Sequence, residues 1–190
     1  MNFITGPMEE YDGHSFTVTL LGDPKLFIDG AAYALREMRM HTPSEHTVDG
    51  KHFDMELQLV HTLTSGSGGA QHVVVSVLFS AGSGGAEPAF LHELVATIGM
   101  EHFGSNPRWL ARGFSFAEVA GALRGGARMT SYYKYQGSLT QPPCTEGVTW
   151  FVVKRPLAVG AGTLGALSGL QGRNNRPVQP AHERLVEFTP

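Results

Sequence analysis

The chain has 190 residues, 42% of them hydrophobic and 16% charged, which suits a single globular domain over 1–190 with a sizeable core. Its formal net charge of -3, with nine histidines counted neutral, excludes the basic patch that nucleic acid or a polybasic membrane tether requires. No apolar run approaches the roughly 18 residues of a membrane span, and the first ten residues lack the basic and apolar regions of a signal peptide, so direct membrane insertion is excluded and no compartment is indicated.

In chain order, residues 1–11 carry no strong pattern and are expected to be a flexible or extra N-terminal segment. Strand-type alternation follows at 15–20, 33–41 and 53–62. Two glycine-rich stretches, 65–69 and 81–86, bracket the apolar run from His72 to Phe79, which reads as a buried strand between flexible loops. Further strands are expected at 131–135, 148–153 and 184–188. Helical periodicity is confined to 88–98, 116–123 and 162–170, the last two weakened by short length and glycine. The pattern predicts a mainly β domain, one large sheet with peripheral helices. Cys144 is the only cysteine, so no internal disulfide and no CxxC metal site exist.

The chemistry is concentrated between Tyr33 and His61. Period-two alternation in Glu37-Met-Arg39-Met-His41 sends Glu37, Arg39 and His41 to one face and Met38 and Met40 to the other. Asp49-Gly50 is a strong hairpin signal and is expected to join this strand to the next, on which Glu56, Gln58 and Val60 share a face. Pairing of the two strands gathers Glu37, Arg39, His41, Glu56 and Gln58 into one polar cluster on a buried face. Such a cluster has to satisfy itself, because unpaired buried charge is costly.

Four ordered blocks, His41-Thr-Pro-Ser-Glu-His-Thr-Val-Asp-Gly50, Met55-Glu-Leu-Gln-Leu-Val-His61, Tyr135-Gln-Gly-Ser-Leu-Thr-Gln-Pro-Pro-Cys-Thr-Glu-Gly-Val-Thr-Trp150 and Asn174-Asn-Arg-Pro-Val-Gln-Pro180, closely resemble the alpha class of carbonic anhydrases. The resemblance runs from about Gly13 to near the C-terminus. It implies that family's fold, a central twisted, mostly antiparallel sheet of about ten strands with the site in a conical cleft, here shortened at the N-terminus. In the family three neutral histidines hold Zn²⁺, which lowers the pKa of a bound water to about 7 and supplies the hydroxide that attacks carbon dioxide. The matching positions here are Arg39, His41 and Gln58. A guanidinium has no lone pair to donate and repels a dication, and an amide oxygen is a poor zinc ligand. Glu37 stands where the family usually has a neutral glutamine behind the first histidine, and Glu56 matches the carboxylate behind the third. Arg39 is therefore expected to bond to Glu37 or Glu56.

The resemblance also assigns remnants. Thr140 and Glu45 match the pair that orients the zinc-bound hydroxide, His14 matches the proton-shuttle histidine, and Val60, Val74, Leu139 and Trp150 match the apolar wall that receives carbon dioxide. Asn174 and Arg176 match a structural pair near the site. Without a metal-bound nucleophile the structural role of Thr140 and Glu45 is favoured, core packing alone explains the apolar four, and His14 is an exposed loop histidine without a task. A cysteine matching Cys144 commonly pairs with one in the N-terminal segment that precedes the matched region. An unpaired Cys144 thus points to ancestry in a secreted, periplasmic or organelle-lumen setting.

Three functions follow in order of preference. The first is a catalytically inactive protein, most like the zinc-ligand-deficient carbonic-anhydrase-related proteins. It would hold no cofactor and serve as a structural or binding module, with another protein covering the shortened N-terminal side. The second is an active carbonic anhydrase with zinc in an atypical site, Glu37 or another group substituting as ligand. The third is a binder of bicarbonate or another small anion, using Arg39.

Overall fold

A computed structural model describes residues 8–11, 16–19, 24–66, 70–98, 108–109 and 131–189. Eleven strands of the described residues join in one sheet: β1 Met8–Tyr11, β2 Phe16–Thr19, β3 Lys25–Ile28, β4 Ala31–His41, β7 Met55–Ser65, β8 His72–Ser80, β9 Arg108–Trp109, β10 Tyr132–Ser138, β11 Glu146–Val153, β12 Leu157–Ala158 and β13 Glu187–Phe188. The main order is β13-β10-β11-β8-β7-β4-β2-β1-β9, with β3 beside β4 and β12 beside β8. Pairing is antiparallel except where β8 meets β11 and β12. Part of the stretch left as flexible or extra by sequence, Met8–Tyr11, is strand β1 against β2. The expected helix at 116–123 lies outside the described residues.

The sheet separates two cores. On one face Leu35, Met38, Met40, Leu57, Leu59, Val75 and Val77 pack with Phe90, Leu91 and Leu94 of helix α1, Ala89–Ile98, and Leu167 of helix α2, Ala161–Gln171. The other face holds a smaller cluster of Val60, Val74, Val148 and Trp150, with Tyr135 and Leu139 against it. A bulge sorts β4 between these faces. Leu35 pairs with His61 and Glu37 with Val60, so Arg36 is the extra residue. Odd-numbered Tyr33 and Leu35 and even-numbered Met38 and Met40 consequently share the helix-covered core, and Glu37, Arg39 and His41 face the opposite way.

The long strands β4 and β7 pair as expected, Arg39 opposite Gln58 and His41 opposite Glu56. The turn assignment needs correcting. Asp49 (φ 51°) and Gly50 (φ 74°) close a separate two-stranded hairpin, β5 Thr47–Val48 with β6 Lys51–His52, inside the connection between the long strands. Two successive positive φ values are what a type I′ turn needs, but turn chemistry says nothing about which strands lie beyond the nearest pair. The last expected strand, 184–188, shrinks to Glu187–Phe188.

Candidate functional site

The polar face of β4 and β7 lies between the smaller apolar cluster and the loop that follows β4. Arg39 is 7% exposed, His41 1%, Glu56 0% and Gln58 1%, so every charge and amide here must find a partner within the protein. Arg39 does so on its own strand: Nη2 donates to Glu37 Oε1 at 2.8 Å and Nε to Glu37 Oε2 at 3.2 Å. The two-pronged contact matches a planar guanidinium to a planar carboxylate. Of the two carboxylates expected as partners for Arg39, only Glu37 takes the bond.

Glu56 is satisfied from elsewhere. Its Oε2 accepts the backbone N–H groups of Glu45 and His46, each at 2.8 Å. Its Oε1 accepts from His46 Nδ1 at 2.7 Å, Ser76 Oγ at 2.8 Å and Gln58 Nε2 at 2.9 Å. Burial alone would push this carboxyl upward, but the charge and hydrogen bonds of His46 outweigh it and hold Glu56 well below the usual carboxylate range. The mirror effect acts on His46, where burial works against the proton and Glu56 more than restores it, so its pKa is raised. The other ring nitrogen, Nε2, is 2.7 Å from the Tyr135 hydroxyl. That phenol is pushed up chiefly by burial, with the Glu56 charge adding to it.

Gln58 connects the two acids. Its amide nitrogen donates to Glu45 Oε2 at 2.8 Å as well as to Glu56. Glu45 Oε1 accepts the backbone N–H of Arg176 at 3.0 Å. Both Glu45 oxygens are thus engaged away from Thr140, whose Oγ1 is buried with no hydrogen-bond partner. The Thr140–Glu45 hydrogen bond implied by the resemblance is absent among the described residues, where Glu45 instead accepts from Gln58 and Arg176.

His41 Nδ1 donates to the Asn174 carbonyl at 3.4 Å. Nε2 is buried without a hydrogen bond, 3.6 Å from Glu45 Oε2. Asn174 fastens the strand end to the C-terminal segment: its Nδ2 donates to the Met40 carbonyl at 3.0 Å and its Oδ1 accepts from the Thr42 N–H at 2.9 Å. Among the described residues no group of three or more His, Cys, Asp or Glu side chains is arranged to hold a metal ion.

Val60, Val74 and Trp150 meet in the smaller apolar cluster with Leu139 beside them. His14 lies outside the described residues. His46, Ser76 and Tyr135 belong to the network, yet sequence reading gave them no such role. A lone hydroxyl inside the apolar run from His72 to Phe79 was the available signal for Ser76. His46 and Tyr135 reach Glu56 from a loop and from β10, and no local periodicity reports that.

Comparison with known proteins matches the same stretch. A family model described as eukaryotic-type carbonic anhydrase matches residues 7–190. The chain is 34% identical to a carbonic anhydrase of Klebsiella pneumoniae, over 97% of this chain and 71% of the relative. It is 35% identical to dioscorin DB3S of Dioscorea polystachya, over 93% of this chain and 63% of the relative. The solved Cah3 carbonic anhydrase of Chlamydomonas reinhardtii, in complex with acetazolamide, superposes with a TM-score of 0.84 at 26% identity, covering 99% of this chain and 79% of that one. The chain therefore spans about two thirds of the length of the curated relatives it matches. With the sheet, the four sequence blocks and these likenesses in agreement, the chain belongs to the alpha, or eukaryotic-type, carbonic anhydrase family.

Proposed function

We propose that this chain is a catalytically silent member of its family, retained as a structural or binding module that docks to another polypeptide. Family membership does not choose between activity and silence; the side chains at the three ligand-matching positions support the choice. Arg39 has no lone pair and is committed to Glu37 through two hydrogen bonds. Gln58 turns its amide N–H groups towards two carboxylates, at 2.8 and 2.9 Å. His41 alone presents an available imidazole nitrogen. One nitrogen donor, one cation and one occupied amide do not fit a tetrahedral Zn²⁺ site, and no catalytic step is assigned through a metal. The carrying observation is the Arg39–Glu37 pair, a neutralised guanidinium at the position that matches the family's first zinc ligand.

Arg39 is a poor anion holder for the same reason: Glu37 already neutralises it. The unpartnered Nε2 of His41 beside Glu45 favours a second reading, a hydration enzyme with an atypical metal site. Metal analysis of protein purified without chelator, joined to a carbon dioxide hydration assay, separates the two. The proposal expects substoichiometric zinc and hydration at the uncatalysed rate. One zinc per chain with rapid hydration overturns it.

A further inference from the structure

A cavity of about 590 Å³ opens beside Glu45, His46, Tyr135 and Thr140, and its lining includes none of Arg39, His41 or Gln58. The opposite wall is the segment from Arg176 to Val186. The gap has a topological cause. β13 pairs with β10 only at Tyr133 and Lys134, whereas β10 continues to Ser138. Chain and strand part after Lys134 like the arms of a fork.

That parting leaves backbone without a partner strand among the described residues. Tyr132 N–H donates to Thr189 Oγ1 and its carbonyl accepts from Thr189 N–H, so Tyr132 faces the β13 side. Alternation along an antiparallel strand turns the backbone of Lys134 and then Gln136 the same way. Gln136 is past the end of β13 and exposed. An unpaired strand edge is a template for another extended chain. The fork is also apolar where water reaches it, with Val178 56% exposed and Val186 46% exposed in the cavity wall, and Leu185 76% exposed next to them.

Charge selects the occupant further. Arg176, Arg184 and His182 line the cavity, and among the described residues neither arginine forms an ion pair. Arg184 is oriented by bonds from Nε to the Ala181 carbonyl at 2.9 Å and from Nη2 to the Pro180 carbonyl, and its charge is felt at Tyr135. Two acids share the lining: buried Glu45, whose oxygens accept from Gln58 and the Arg176 backbone, and exposed Glu146, so the side chains of Arg176 and Arg184 are the cationic groups there that an incoming acid can pair with. We propose that this fork is a docking groove for an extended segment of a partner polypeptide, which adds to the edge of β10 at Gln136, unpaired among the described residues, and sets an acidic side chain against Arg176 and Arg184. The proposal rests on the reading of the chain as a binding module and specifies the surface and the partner's chemistry.

The test is selection of random dodecapeptides displayed on phage against the full chain, followed by binding of the enriched peptide in synthetic form. The groove predicts enrichment of alternating apolar and polar sequences with an Asp or Glu, and slowed amide hydrogen exchange at Gln136 in the complex. Gln136→Pro should weaken binding at least tenfold, and Gln136→Ala, which keeps the N–H, should not. If the proline variant does not fold, Arg184→Glu serves instead: it should weaken binding at least tenfold and be rescued by a peptide whose acid is changed to lysine. Absence of enrichment, or peptides indifferent to both edge and charge variants, overturns the groove. A wild-type dimer in sedimentation that dissociates in Gln136→Pro overturns it in favour of a second copy of the chain. Zinc with rapid hydration in the same preparation would overturn the silent-module reading, not the groove; failed selection with zinc-free, inactive protein overturns the groove alone.

Discussion

The amide nitrogen of Gln58 lies 2.8 Å from Glu45 and 2.9 Å from Glu56, and Glu56 is fully buried. Removing that donor leaves two acids facing each other with fewer hydrogen bonds, one of them out of reach of water. An unsatisfied buried polar group costs about 1–3 kcal/mol and a charged one more. Gln58→Leu, close in volume but without the donor, is therefore expected to lose about 2–3 kcal/mol in urea unfolding. Arg39→Leu should cost less, because its partner Glu37 has a side chain 27% exposed and can turn to water. Equal costs would mean that Gln58 does not connect the two acids in solution.

The strand faces of β4 and β7 were legible before any coordinates, because period-two alternation is a local property of the chain. The bulge at Arg36 was not: it is visible only once Leu35 and Glu37 are seen opposite adjacent residues, His61 and Val60. Asp49-Gly50 shows the same limit from the other side. Its chemistry correctly marked a tight turn, but the strands it joins are the two-residue β5 and β6. Gly50 sits at φ 74° with nothing near the place a Cβ would occupy, so Gly50→Ala meets only backbone strain. An expected cost of about 1 kcal/mol follows, measured by the shift in urea midpoint. A neutral result would show that the turn relaxes out of the left-handed region.

At the scale of the whole molecule, three buried groups among the described residues, Glu56, His46 and His61, make stability depend on pH between acid and neutral. Glu56 is depressed, so its contribution is in place above its unfolded value of 4.5 and is lost as pH falls through its folded value. His46 is raised, so its contribution is complete below 6.5 and is lost as pH rises through its folded value. The pair thus supports the fold most fully between those two pH values. His61 opposes this. Burial drives it down to about 4 from 6.5, while hydrogen bonding to the Leu59 backbone only partly compensates. The unfolded chain accepts a proton that the folded one refuses in that interval, so His61 destabilises the fold as pH falls from 6.5 to 4. Against His61→Gln, the wild type should lose about 3 kcal/mol of relative stability across the interval, read from urea melts at pH 7 and pH 4. A constant difference would place His61 in contact with solvent.

The fold and the shared polar face of β4 and β7 were legible because family blocks and strand alternation both survive in this chain. The wiring was not. Glu56 finds His46 ten residues earlier, and His46 finds Tyr135 eighty-nine residues later. Only the folded sheet decides that Glu37, rather than Glu56, neutralises Arg39.

On the proposed reading, a paired guanidinium and a hydrogen-bonded amide stand at two positions that match zinc ligands of the family. The most direct test is zinc affinity, measured by competition with a chromophoric chelator, of the wild type beside the triple variant Glu37→Gln, Arg39→His, Gln58→His. No competition is expected from the wild type and clear competition from the triple variant, whose second imidazole lies beside His41 and whose third comes from the facing strand. Wild-type zinc binding as tight as that of the triple variant would contradict that reading.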